Sequence, residues 1–384
     1  MKKIAILGAT GSIGRKALDV IDRTPEEFKI TSLTAHNDFE ALVGLAKKYG
    51  AGYVGLSGGG GRDLKSAVPP GVKAGFGPEA LIEACGFGDP DMVLIAVVGI
   101  AGLAPLLECL DRGVDVALAN KESLVCGGAL VKEKQKSSGS KIYPIDSEIC
   151  AIFQCLQGNH VKDIRRVILT ASGGPFFDWD KERIEKASVQ EALRHPNWSM
   201  GRKITVDSAT YMNKGFEVIE TKWMFDLEPE MIDVVIHRQS TIHSMVEYRD
   251  GAVIAQMGPT DMRQPIQYAL FWPRRPDTVV GYLDFAKLAK LTFDAPDTDK
   301  FPCLRYAKEA LLEGGSAPLV LNAANDAAVD LFLREKINFG RIERLVEYSL
   351  SKFSGMPGAT LEEITDTDAA VKKHIYDNFD RIRI

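Results

Sequence analysis

Six cysteines in 384 residues, with no Cys-x-x-Cys pair among them, leave no dithiol redox motif to build on. Nor do the six histidines stand at zinc-type spacing from Cys85, Cys109, Cys126, Cys150, Cys155 or Cys303. Several of these cysteines lie inside apolar runs, where a free thiol behaves as a small core residue. Long hydrophobic runs are also missing. The longest uncharged stretch, Met92 to Leu107, is broken by Gly99, Gly102 and Pro105 and falls short of the ~20 residues a membrane span needs. Charge of one sign is scarce too: Lys+Arg 47 against Asp+Glu 52 gives a net charge of −5. That balance makes no electrostatic case for nucleic acid or an anionic membrane as partner. Met1-Lys2-Lys3 passes straight into a strand-like run with no leader pattern, so the reducing cytoplasm is the expected compartment. There is no internal repeat, and low complexity is confined to the glycine run within Ser57–Gly61, read as a flexible loop.

What is present reads as a soluble globular chain, 45% hydrophobic and 26% charged, and long enough for two or three domains. Ile4-Ala5-Ile6-Leu7 is a short apolar run ending at Gly8-Ala9-Thr10-Gly11-Ser12-Ile13-Gly14. Ala17, Leu18, Val20 and Ile21 then recur at helical spacing. A glycine-rich turn between strand and helix lets backbone N–H groups and the helix N-terminus hold a pyrophosphate. The spacing Gly8, Gly11, Gly14 departs from GxGxxG, but the strand-turn-helix context points to a dinucleotide site. The next strand, Ile30 to Thr34, ends in Ala35-His36-Asn37 without the acid that binds a ribose 2′-hydroxyl, which favours NADP over NAD. His36 reads either as a 2′-phosphate contact or as a solvated loop residue.

Further strand-like segments (Tyr53–Leu56, Met92–Val98, Val114–Ala119, Ile142–Ile145) alternate with helical ones such as 38–49 and 105–112. Such alternation predicts an α/β, Rossmann-like doubly wound parallel sheet, with the continuous run Met92–Val98 buried on both faces. At Tyr143-Pro144-Ile145-Asp146-Ser147-Glu148 two carboxylates flank a serine at a strand end. Taken alone, this is either an acidic turn capping the next helix or a pair of side chains pointing one way along extended backbone, suited to a divalent cation or to acid/base work. Beyond it, Ala171-Ser172-Gly173-Gly174-Pro175 is either an ordinary turn or an anion seat. His195-Pro196-Asn197-Trp198-Ser199-Met200-Gly201 has the composition of a lid, or of an apolar loop packed on the core. Helical from about Thr210, the chain places Asn213, Lys214 and Glu217 on one face, either a ligand site or a solvated ion pair. Strands at 234–236, 241–247 and 252–256, with a turn at Arg249-Asp250-Gly251, predict a partly antiparallel second sheet. Four helical segments between 305 and 379 suggest an appended bundle, with Ala323, Ala324, Ala327 and Ala328 as a packing seam. The expected division is 1–146, 147–273, a linker at 274–302, and 303–384.

With these residues in hand the chain resembles the 1-deoxy-D-xylulose-5-phosphate reductoisomerase family nearly end to end. The resemblance rests on GATGSIG (8–14), ALANKES (117–123), PIDSE (144–148), ASGGPF (171–176), HPNWSMG (195–201), DSATYMNKGFEVIE (207–220) and GPTDMRQPIQYAL (258–270), all in order. It implies a cytoplasmic homodimer that uses NADPH and Mg²⁺ or Mn²⁺ to convert 1-deoxy-D-xylulose 5-phosphate to 2-C-methyl-D-erythritol 4-phosphate in non-mevalonate isoprenoid synthesis. It further implies Asp146, Glu148 and Glu217 as metal ligands, and Lys121, Ser147, Ser172, His195, Trp198, Ser208, Asn213 and Lys214 as substrate contacts. NADPH contacts would come from Thr10, Gly11, Ser12, Ile13, Asn37, Asn120, Glu122 and Gly201, joined by His36 on the strand-end reading above. Lys121 and Glu148 are the candidates for proton transfer, with His195 also at the reacting centre. Trp198 would cover the substrate on a flap formed by 195–201. An NADP-dependent dehydrogenase of another phosphorylated polyol would explain the turn but leave the three carboxylates without a role. A nucleotide-sensing scaffold whose C-terminal helices bind a partner would bind NADPH without turnover.

Overall fold

The computed structural model describes residues 1–58 and 64–382. Gly59, Gly60 and Gly61 of the expected flexible loop lie outside the described residues. The chain forms two compact units, the first made of Met1–Ser123, Val131–Cys150 and Asp261–Gly281, the second of Leu124–Leu130, Ala151–Thr260 and the chain from Tyr282 on.

The first unit is built on seven parallel strands: β1 (Lys2–Leu7), β2 (Phe28–Ala35), β3 (Tyr53–Leu56), β4 (Lys73–Phe76), β5 (Met92–Ile95), β6 (Asp115–Leu118) and β7 (Ile142–Pro144). They lie in the order β4-β3-β2-β1-β5-β6-β7. β1 is a continuous apolar run because helices cover both faces of the sheet: Ile4, Ala5, Ile6 and Leu7 are completely buried. The strand order reverses between β1 and β5, and in open α/β sheets the carboxyl ends at such a reversal are where ligands bind. The doubly wound expectation holds. Two local expectations do not. β4 was not foreseen, since Lys-Ala-Gly-Phe carries little strand signal and pairs only as an edge on β3. The run from Met92 leaves the sheet at Ile95, where the chain turns through Gly99 (φ +67°), so Val98 is 75% exposed instead of buried.

Asp261–Gly281 returns to this unit from far along the chain. Its Arg263–Phe271 helix packs beside the Ser12–Asp22 helix. Phe271 meets Phe28 edge-on at 4.9 Å, and the Trp272 ring lies 5.5 Å from that of Tyr143. Arg263 pairs with Asp19 at 2.8 Å and Arg274 with Glu27 at 2.9 Å. Contacts distant in sequence thus bring this segment into the first unit.

The second unit has a four-stranded sheet of β8 (Ile164–Ala171), β9 (Ile232–Ile236), β10 (Ile242–Tyr248) and β11 (Val253–Met257), in the order β11-β10-β8-β9. β8 runs parallel to β9 and antiparallel to β10, so the sheet is mixed, as expected. The β10–β11 hairpin turns at Gly251 (φ +88°). After the short Phe285–Leu288 helix come four longer ones, Cys303–Glu313, Ala317–Leu333, Gly340–Phe353 and Leu361–Asn378. Ala323, Ala324, Ala327 and Ala328 are fully buried where Ala317–Leu333 packs against the last two. A capping box between Thr360 and Glu363 starts the final helix. These C-terminal helices, expected from the sequence, share one compact unit with β8–β11. Among the described residues no helix is long and apolar enough to cross a membrane.

Candidate active site

In the first unit the glycine turn joins β1 to the Ser12–Asp22 helix. Gly8 takes φ +86°, and a Cβ there would lie 2.6 Å from the Ala96 carbonyl oxygen, so only glycine fits. Gly14 is bare for a similar reason: a Cβ would stand 2.6 Å from Ala9 Cα. Gly11 provides the N-cap without a side-chain acceptor, and no acid sits in the helix's first turn. Thr10, Gly11, Ser12 and Ile13 thus surround a helix N-terminus whose N–H groups suit a phosphate. His36 Nδ1 lies 3.2 Å from Ser57 Oγ, while Asp38 caps the Phe39–Tyr49 helix. Asn120 is buried and its amide donates to the carbonyls of Val97 (3.0 Å) and Gly99 (2.8 Å) and to Glu122 Oε2 (2.9 Å). Its amide therefore ties the loop after β5 to the start of the Glu122–Ser138 helix.

At the other end of this sheet, β7 stops at Pro144, and Ser147 begins the Ser147–Cys155 helix. Asp146 and Glu148 are therefore not two residues along extended backbone, as the sequence suggested. Asp146 precedes the helix and Glu148 lies in its first turn. Lys121 Nζ is 2.7 Å from Asp146 Oδ2, with both side chains 9% exposed. Ser147 Oγ donates to Glu148 Oε2 at 2.5 Å.

In the second unit Ser172, His195 and Ser208 come together from β8's end, the 195–201 loop and the Arg202–Ala209 helix. His195 Nε2 lies 3.0 Å from Ser172 Oγ and 3.1 Å from Ser208 Oγ. Its Nδ1 accepts from the backbone N–H groups of Asn197 (3.1 Å) and Trp198 (3.0 Å). Those groups only donate, so Nδ1 carries no proton and Nε2 carries one. Burial drives the His195 pKa down to about 4, which keeps the ring neutral. The loop is pinned by Asn197, whose amide donates to Arg238 O (2.6 Å) and Ser240 Oγ (2.8 Å). Trp198 lies 6.1 Å from the buried His243 ring.

The Met212–Phe225 helix starts after Tyr211, which takes φ +63° and stacks on Phe301 at 4.2 Å. Lys214 is 5% exposed and Glu217 1%, so the solvated-face reading of this segment is excluded. Lys214 Nζ pairs with Glu217 Oε2, and Asn213 Nδ2 donates to Oε1 at 2.6 Å. A cation and an anion withdrawn from water in this way are weak evidence for stability and stronger evidence for a ligand site. Gly201, expected at the cofactor, is the N-cap of the Arg202–Ala209 helix in the second unit. The sequence reading missed the pair of Lys203 with buried Asp207 and its partners, although the i, i+4 spacing was legible.

Residues 4–128 match the family model described as 1-deoxy-D-xylulose 5-phosphate reductoisomerase, and 142–225 and 257–374 match models of its C-terminal domains. The chain belongs to the 1-deoxy-D-xylulose 5-phosphate reductoisomerase family. The family's enzyme from Chloroherpeton thalassium is 47% identical over 382 residues, covering 99% of each chain. That from Thermoanaerobacter pseudethanolicus is 48% identical, covering 98% of each. Among solved structures, the Zymomonas mobilis reductoisomerase in complex with NADPH is 39% identical with a TM-score of 0.93, covering 99% of this chain and 100% of that one. A reductoisomerase in complex with NADPH, fosmidomycin and magnesium is 40% identical with a TM-score of 0.94, covering 98% of each.

Proposed function

We propose that the chain is a cytoplasmic reductoisomerase that converts 1-deoxy-D-xylulose 5-phosphate to 2-C-methyl-D-erythritol 4-phosphate with NADPH and Mg²⁺ or Mn²⁺. The observation that carries the reading is the buried Lys214–Glu217 pair, held by Asn213, in the same unit as an uncharged His195 whose Nε2–H faces two serine hydroxyls. The glycine turn fits NADPH, since its bare Gly8 and Gly14 admit close backbone approach and its helix N-terminus holds no competing acid. Asp146, Glu148 and Glu217 each offer a carboxylate oxygen, a hard donor set that fits Mg²⁺ or Mn²⁺ and not a thiol-seeking metal.

When bound, the cation would polarise the ketose carbonyl and its neighbouring hydroxyl, and NADPH would supply the hydride that reduces the rearranged aldehyde. Lys214 brings charge to the substrate, while Asn213, Ser172, Ser208 and the Nε2–H of His195 bind its phosphate and hydroxyl oxygens. Lys121 and Glu148 are the candidates to move protons, and the hydrogen bond from Ser147 to Glu148 supports an orienting part for the serine. The 195–201 loop, with Trp198, closes over the substrate and keeps water out. Thr10, Gly11, Ser12 and Ile13 hold the cofactor's phosphates, with His36 and Asn37 toward the 2′-phosphate and Asn120, Glu122 and Gly201 completing its site. The active form is a homodimer, supported by the exposed Val253 and Ile254 on the edge strand β11.

The test is NADPH oxidation with 1-deoxy-D-xylulose 5-phosphate, with and without Mn²⁺. Turnover lost to EDTA and restored by Mn²⁺ is expected. Activity surviving exhaustive EDTA would instead indicate a simple dehydrogenase.

A further inference from the structure

The second unit holds a line of charged side chains, Asp207 and Asp368 buried and Lys203, Asp326 and Lys372 partly so, that the proposed reaction does not call on. Lys203 Nζ lies 2.8 Å from Asp207 Oδ2 and 3.0 Å from Asp326 Oδ1. Asp326 Oδ2 in turn meets Lys372 Nζ at 2.9 Å, and Lys372 meets Asp368 at 2.9 Å. Asn325 Nδ2 donates to Asp207 Oδ1 at 2.7 Å, and both residues are buried. The line thus runs from the Arg202–Ala209 helix through Ala317–Leu333 to Leu361–Asn378.

Its first member lies at a sensitive point. The Arg202–Ala209 helix begins at Gly201, where the 195–201 loop ends, and Asp207 immediately precedes Ser208, the partner of His195. Lys203 Nζ also lies 5.0 Å from the ring centroid of Phe216, the neighbour of Glu217. Any shift in this helix moves Ser208 with it, and through Ser208 the histidine that anchors the loop. Low-dielectric surroundings make such pairs directional and costly to break from one side.

We propose that Asp326 and Lys372 are positioning residues that, through Lys203 and Asp207, hold the Ser208-bearing helix in register and so set affinity for the phosphorylated substrate. The substrate clause rests on the reductoisomerase reading above; the structural coupling does not. It gives two of the C-terminal helices, Ala317–Leu333 and Leu361–Asn378, a part in the reaction without contact with substrate.

The test compares wild type with Lys372→Met, Asp326→Asn and the conservative Lys372→Arg in the full-length protein. Because misplacement by about 1 Å costs up to about 100-fold, Lys372→Met and Asp326→Asn should raise KM for 1-deoxy-D-xylulose 5-phosphate about tenfold. With only substrate binding disturbed, kcat should stay within about twofold, NADPH affinity should be unchanged, and Lys372→Arg should restore KM. Amide hydrogen exchange should rise selectively over 195–209 in Lys372→Met and stay at the wild-type rate in β8 and β10. An unchanged KM, or exchange rising uniformly across the second unit with only a lower unfolding temperature, would overturn the proposal and leave a merely structural ion pair. Should Lys372→Met fail to fold, the pair Lys372→Gln with Asp368→Asn removes both outer charges and is read the same way. A wild type that does not turn over the substrate would sink the reductoisomerase reading. Exchange over 195–209 then decides the coupling by itself.

Discussion

Acid should weaken this protein partly through His195, and the size of the effect follows from its surroundings. The folded ring titrates near 4, because burial disfavours the imidazolium and two backbone N–H groups occupy Nδ1. In the unfolded chain it returns to about 6.5. Between these values the unfolded chain binds the additional proton, so stability is full above about pH 6.5 and declines as pH falls toward 4. The whole depression would correspond to about 3 kcal/mol, and solvent screening of a half-buried ring reduces this to about 1–2 kcal/mol. Buried His243, likewise held down to about 4 by desolvation, contributes a slope of the same sign. The comparison must therefore be with His195→Gln, which keeps a donor but does not titrate. Urea unfolding at about pH 7, 5.5 and 4.5 should show a shallower loss in His195→Gln, by about 1–2 kcal/mol across the series. Nitrogen-15 spectra of the imidazole should show a neutral ring protonated at Nε2 down to about pH 5. Equal slopes in the two proteins, or an imidazolium at pH 6, would refute the assignment of tautomer and charge.

Other perturbations test the rest of the site. Gly14→Ala introduces a Cβ into Ala9 and should destabilise by about 1–3 kcal/mol, with at least tenfold weaker NADPH binding by fluorescence titration. Wild-type cofactor affinity in that variant would contradict the close-approach argument. Asn120→Ala removes the amide that donates to Val97 O and Gly99 O and should lower stability by about 1–3 kcal/mol in a thermal melt. A melt unchanged from wild type would show that these carbonyls find other donors. Glu217→Gln should abolish metal-dependent turnover while NADPH affinity, measured separately, survives. Loss of both together would mean misfolding and would remove the support for Glu217 as a ligand.

The sequence was most informative where local pattern and burial agree. Ile4 to Leu7 reads as a buried parallel strand because every side chain in it is apolar, and Gly8 and Gly14 mark a turn because nothing larger fits. The character of Lys214 and Glu217 was not legible in the same way. Helical spacing puts them on one face whether that face meets water or the interior, and only packing by distant segments decides. The grip of Asn120 on the carbonyls of Val97 and Gly99 belongs to the same class, since both partners are distant along the chain. β4 escaped notice because an edge strand buries little and needs no apolar run. The 146–148 stretch misled in geometry, since Pro144 ends the strand before the first carboxylate, so the acids are displayed by a helix start.

The returning segment Asp261–Gly281 has a consequence for how the chain comes to be made. Its helix and Trp272 cover Phe28 and Tyr143, yet the 110 residues 151–260 must be synthesised before that cover exists. At about 5–20 residues per second a ribosome takes roughly 5 to 20 s over that stretch. Throughout it, the nascent nucleotide sheet presents bare aromatic surface. A fragment stopped at residue 150 would lack that cover, and no single cut in the chain separates the two units. The unit that begins at Met1 is finished only when Gly281 has been added.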